Sequence, residues 1–138
     1  MKVMVCAAVL IAVLTASQGL ASDICSLGKE TLLLPDAGRE KFYKNKIEGR
    51  ILEGKGSVVN VWQRGPGKNY TVSIDCGNDV VINVTTSADA KNLKVGQQVD
   101  FKGTCVSYGS RRYIYSKKTY MVFGMERGSV GKISNKPE

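Results

Sequence analysis

Tyr70-Thr71-Val72-Ser73-Ile74-Asp75-Cys76, then Gly77-Asn78-Asp79, then Val80-Val81-Ile82-Asn83-Val84: the fold is decided in this stretch. Tyr70, Val72, Ile74 and Cys76 alternate with Thr71, Ser73 and Asp75, the period of a strand with one buried face. Gly77-Asn78-Asp79 offers residues that tolerate the left-handed backbone of a tight turn. Val80, Ile82 and Val84 resume the alternation on the far side. Two alternating runs around such a turn predict a β-hairpin.

Upstream, Ile47 to Trp62 is β-like but broken by Gly49, Gly54 and Gly56. Glycines within a strand pattern mark bulges or the sharp bends of barrel corners. Arg64-Gly65-Pro66-Gly67-Lys68 is a turn by composition. Downstream, Ser87 to Lys94 breaks the β pattern and reads as a short helix. After Val95-Gly96-Gln97, the residues Val99, Phe101, Gly103 and Cys105 share one strand face. Tyr108-Gly109-Ser110-Arg111-Arg112 reads as a turn, and Tyr113 to Phe123 as the last strand. Five strands, a long bent first one and a helix between the third and fourth predict an all-β chain. Its form is a five-stranded Greek-key OB-fold barrel. An immunoglobulin-like sandwich would need about seven strands; an SH3-like barrel is the nearer rival.

The barrel is expected over residues 46–124. Residues 22–45 form an N-terminal arm, with Ala37 to Asn45 as a short helix capped by Asp36. Residues 125–138, rich in Gly, Ser, Lys and Asn, are expected to be a flexible tail. Residues 1–21 carry the tripartite pattern of a secretory signal peptide. Lys2 supplies the positive start, Val3 to Leu14 the apolar run, and Gly19-Leu20-Ala21 the small residues of a cleavage site. The apolar run is short for a bilayer span and no second one follows. Export, periplasmic or extracellular, is the expected localisation, with no integral membrane segment after cleavage.

The stretch from Lys46 to Phe123 resembles the small exported bacterial OB-fold domains of the tRNA-anticodon-binding-like group. The resemblance is carried by Gly56-Ser57-Val58-Val59-Asn60-Val61, by Asp75-Cys76, and by Leu93-Lys94-Val95-Gly96-Gln97-Gln98-Val99 followed by Phe101-Lys102-Gly103-Thr104-Cys105. It implies a fold and a habit of binding rather than an activity. The group's name does not imply that this chain meets tRNA.

Beyond the signal pattern three cysteines remain, an odd number. Alternation puts Cys76 and Cys105 on the apolar face, so a Cys76–Cys105 disulfide is expected, closing a loop of about 30 residues and contributing about 3 kcal/mol. Cys25 is then the odd thiol: buried, capped or intermolecular. No Cys-x-x-Cys motif suggests redox catalysis.

The chain of 138 residues contains no histidine, which excludes Ser-His-Asp triads, Cys-His dyads and His-built zinc sites. No paired carboxylates appear at local spacing, and Gly54-Lys55-Gly56-Ser57 lacks the rest of a phosphate loop. No catalytic residue, metal site or cofactor is expected. Asn69-Tyr70-Thr71 and Asn83-Val84-Thr85 match the glycosylation acceptor pattern, which matters only in a eukaryotic source.

The net charge is +8, unevenly placed. Lys41 to Lys68 holds seven basic and two acidic residues, and Phe101 to Tyr120 five basic and none acidic. The 1–2 and 4–5 loops flank the usual ligand face of an OB barrel. Arg64 and Lys68 fall in the first of them and Arg111 and Arg112 in the second, with Trp62 and Tyr108 beside them. Cations along a groove and rings to stack on bases make up the single-strand recipe. The expected function is a non-catalytic binding module for a protein partner or an anionic ligand, single-stranded nucleic acid being one. The rivals are a toxin-B-like assembly subunit associating through strand edges and Cys25, and a small secreted hydrolase or nuclease.

Overall fold

A computed structural model describes residues 22–133. The signal-peptide reading of residues 1–21 lies outside the described residues. Five strands form the barrel: β1 (Ile51–Gln63), β2 (Tyr70–Gly77), β3 (Val80–Thr86), β4 (Gln98–Arg112) and β5 (Thr119–Lys132). Two helices precede them, α1 (Ile24–Leu33) and α2 (Asp36–Lys46). The strands run in the order β1-β2-β3-β5-β4, and β4 returns to pair with β1. Ser22–Asp23 adds a short parallel stub beside Leu52 and Glu53.

Closure depends on β1 serving two partners. Its first half pairs with β4, from Ile51 opposite Thr104 to Ser57 opposite Gln98. Its second half pairs with β2, from Ser57 opposite Asp75 to Gln63 opposite Tyr70. The bend between them needs Gly56: a Cβ there would stand 2.7 Å from Ile74 Cγ2 and closer still to the Asp75 carbonyl. At the β2–β3 turn, Asn78 and Asp79 take φ of 55° and 62°, the doubly left-handed turn that fits the twist of a hairpin.

The core holds the inward rows of all five strands, among them Val72, Ile74, Ile82, Val84, Val99, Phe101 and Phe123. The helices complete it with Ile24, Tyr43 and Ile47, all buried. Residues 22–133 thus close their own sheet and cover their own core.

The structure departs from the expectations in four places. No helix joins β3 to β4. Residues 87–97 are bends and turns. There Asp89 accepts from the Lys91 amide and Gln97 Oε1 from the Lys94 amide, local bonds that compete with helix formation. The helical cover comes instead from the N-terminal segment, where an arm with one short helix after Pro35 was expected and two helices are found. The wholly buried positions of α1 are Ile24, Gly28 and Thr31, a helical spacing carried mostly by residues that are not hydrophobic. Gly28 lets the helix lie close: a Cβ there would stand 2.6 Å from Val80 Cγ1. The cap of α1 is Asp23, which accepts from the Cys25 amide. Asp36 is not the cap of α2. It lies inside the first turn and pairs with Arg39 at 2.7 Å.

The third departure is the last hairpin. Tyr108 to Arg112 is strand, and the turn occupies Tyr113–Lys118. β5 then runs through Met125 to Lys132, so most of the expected tail is barrel. Met125 is buried opposite Cys105. The glycines of this segment belong to an irregular strand that shifts register twice against β4.

The fourth is the disulfide. Cys76 bonds Cys25, not Cys105, with 5.6 Å between the Cα atoms. Asp75 opposes Val81 and Gly77 opposes Val80, so Cys76 is the extra residue of a bulge and leaves the inward row. That turns it toward α1. Cys105 stays a buried free thiol. Burial raises its pKa, so it is held as the neutral thiol. With Cys25 bonded inside the chain, association through an intermolecular Cys25 bridge is removed as well.

Candidate ligand-binding face

Residues from β1, β2, β3, β4 and β5 line one stretch of the outer surface. Between Val58 and Asn60 the register of β1 shifts against β2. Beyond that shift Asn60 opposes Ser73, and Ser73 in turn opposes Asn83. This makes a polar row across three strands, in which the Ser73 hydroxyl donates to Asn83 Oδ1. Toward the β2–β3 turn the face carries Val81 and Val122, which are neighbours in the parallel β3–β5 pair. Arg111 opposes Tyr120 at the end of the β4–β5 ladder. A hollow of about 470 Å³ lies here, lined by Asn60, Asn83, Val122, Arg111, Tyr113 and Tyr120 among others.

Its aromatic component is the Tyr113–Tyr120 pair, with ring centroids 4.8 Å apart. The Tyr113 hydroxyl donates to Asp79 at 2.9 Å, and Lys118 Nζ is 3.2 Å from the same carboxylate. That hydrogen bond to a carboxylate raises the Tyr113 pKa above its ordinary value. The base of the 4–5 turn is therefore pinned to the 2–3 turn.

The six residues expected to bind ligand divide. Arg111 lines the hollow, and Arg112 follows it at the end of β4. Arg64 and Lys68 are exposed in the 1–2 loop, where the Lys68 amide donates to the Gly65 carbonyl and Gln63 Nε2 to the Lys68 carbonyl. Strand directions alternate from β1 to β2 and from β2 to β3. The 1–2 loop and the β3–β4 connection therefore share one end of the face, and the 2–3 and 4–5 turns share the other. The two basic loops sit apart by the length of β2, Tyr70 to Gly77, about 24 Å at strand rise. Trp62 is 38% exposed, opposite Thr71 at the 1–2 loop end.

Tyr108 does not belong to the face. It packs inward, 4.4 Å from Tyr43 and 6.4 Å from Phe123 between ring centroids. Register shifts between Cys105 and Ser107, so Val106 and Ser107 are both exposed and Tyr108 returns to the inside. The aromatic role passes to Tyr113 and Tyr120. Sequence alternation could not orient the first and did not single out the second. Of the basic run from Lys41 to Lys68, Lys41, Lys44 and Lys46 lie on α2 and Arg50 and Lys55 near the start of β1, leaving two cations for the loop.

A second hollow, of about 780 Å³, lies beside the disulfide. Its charged lining is Asp23, Glu53 and Asp100 against Lys29, Lys55 and Lys102. Three charges of each sign leave no net field to gather an ion. The lining of the Tyr-Arg hollow is balanced as well, Asp75 against Arg111, and it is the better candidate on its ring content, the Tyr113–Tyr120 pair.

No family model and no curated protein matches this chain. Among solved structures it is similar to a chain of a replication protein A heterotrimer bound to single-stranded DNA. The identity is 20% and the TM-score 0.40, over 63% of this chain and 59% of that one. The closed barrel in the order β1-β2-β3-β5-β4 makes this chain an OB-fold protein.

Proposed function

We propose that the chain is an exported, non-catalytic binding module, akin to the small bacterial OB-fold domains, that takes an extended anionic polymer along this face. One observation carries the reading: the cations stand at both ends of a single sheet face. A small anion would meet one end only. A polymer long enough to touch both would cross the polar row of Asn60, Ser73 and Asn83 between them. The aromatic pair beside Arg111, and Trp62 at the other end, offer flat surfaces for bases, so single-stranded nucleic acid is the first polymer to test. The signal-peptide pattern supports export, and a disulfide suits an oxidising compartment.

The test is binding of residues 22–138 to a labelled single-stranded oligonucleotide and to heparin across a salt series. We expect log affinity to fall linearly with log salt, and the oligonucleotide to be preferred over heparin of equal charge. Arg111→Glu should weaken binding about tenfold or more. Absence of binding at low salt would reduce these cations to solubilising surface.

A further inference from the structure

The 4–5 turn carries two residues that the ligand face does not use. Ile114 is 89% exposed and Tyr115 is 98% exposed. They stand at the tip of the β4–β5 hairpin, between Arg111 and Arg112 at the end of β4 and Lys117 and Lys118 in the turn just before β5. No acidic residue occurs from Phe101 to Tyr120. Asp79 offsets one of the four cations by pairing with Lys118.

The tip is also held in place. The Tyr113 amide donates to the Lys118 carbonyl at 3.1 Å, and the Lys118 amide to Ser116 Oγ at 3.0 Å. Below them, Tyr113 and Lys118 are both fastened to Asp79. Little ordering entropy remains to be lost when such a tip docks.

We infer that this tip is a docking site for a bilayer containing anionic phospholipid. An aliphatic and an aromatic side chain thrust into the headgroup boundary, ringed by Lys and Arg, match the chemistry of that surface. Nucleic acid fits the tip less well. Ile114 has no π face and no hydrogen-bonding group, and the tip has no second wall against which a base could be clamped. A bilayer needs no complementary pocket, only an apolar point and a cationic collar. The inference does not rest on the polymer-binding reading and uses a different pair of side chains.

The test is flotation of residues 22–138, which lack the apolar run of 1–21, with two kinds of vesicle. One is phosphatidylcholine alone and the other phosphatidylcholine with phosphatidylglycerol. We expect flotation with the anionic vesicles, little with the neutral ones, and loss as salt rises. Ile114→Ser with Tyr115→Ser should weaken vesicle binding about tenfold, with circular dichroism and oligonucleotide affinity unchanged. Arg112→Glu with Lys117→Glu should abolish the preference for anionic vesicles. No flotation with anionic vesicles at low salt would overturn the inference, as would equal flotation of the serine variant. Loss of oligonucleotide binding in that variant, without vesicle binding by the parent, would make the tip a nucleic-acid wedge and equally overturn it.

Discussion

The two ends of the proposed ligand face are built differently. At the end with the 2–3 and 4–5 turns, α1 packs on Val80 and Phe123, the Cys25–Cys76 bond ties that helix to β2, and Asp79 fastens Tyr113 and Lys118. At the other end, Arg64-Gly65-Pro66-Gly67-Lys68 is held by two hydrogen bonds around Lys68 and exposes its cations to water. Cations at the two ends therefore do unequal things. A cation on a braced strand end meets a ligand in a fixed geometry. A cation on a glycine-rich loop acts mainly as diffuse field, which salt screens.

The largest effect expected from disturbing this contrast is on stability. Cys76→Ser removes a crosslink between residues 51 apart in sequence, worth about 4 kcal/mol by loop closure. Denaturant titration should show that loss, and thiol labelling of the native parent should find Cys105 unreactive. A parent in which Cys25 labels freely would break the comparison at its braced end. Gly28→Ala comes next. Its new Cβ meets Val80 Cγ1 at 2.6 Å, and we expect a loss of about 1–3 kcal/mol by overpacking.

The ligand series sharpens the contrast itself. Arg111→Glu should lower oligonucleotide affinity more than Arg64→Glu does, and Tyr120→Ala should cost about 1–3 kcal/mol per stacked base. Arg64→Glu should chiefly change the salt slope, by about one or two phosphate equivalents. Equal losses at both ends would mean that bracing is irrelevant to binding.

The smallest effect concerns pH. The hydrogen bond to Asp79 raises the Tyr113 pKa, so the folded state favours the neutral phenol. Its contribution is complete below the ordinary tyrosine value of about 10 and is lost as pH rises through the higher folded value. A phenol signal that titrates above the ordinary tyrosine value of about 10, is absent in Tyr113→Phe and moves back toward that value in Asp79→Asn would confirm the anchor.

What the sequence disclosed follows from where alternation is uninterrupted. The Tyr70–Val84 hairpin reads directly because nearly every inward residue is aliphatic, and five strands follow from the same pattern. Parity was lost at each bulge. The extra residue at Cys76 turned a core position into a helix contact, a move to the opposite face that is the known cost of a one-residue slip. Tyr108 was read as part of a turn, whereas β4 continues through it and the shift between Cys105 and Ser107 returns it to the inside. The helix α1 was hidden for another reason. Its buried stripe includes Gly28 and Thr31, so tight packing against Val80 left no hydrophobic period to detect. Arg64, Lys68, Arg111 and Arg112 were found as charges. Their separation across the face was not, because it depends on strand directions rather than on composition.

The pairing of Cys25 with Cys76 bears on the order in which the chain is made. Both partners precede Cys105 in sequence. A polypeptide that emerges N-terminus first into an oxidising space presents the native pair while the competing thiol has yet to appear there. β4 and then β5 follow to close the barrel, and Cys105 is buried opposite Met125 once both are in place. Chronology would thus do for Cys25, Cys76 and Cys105 what an isomerase must otherwise correct.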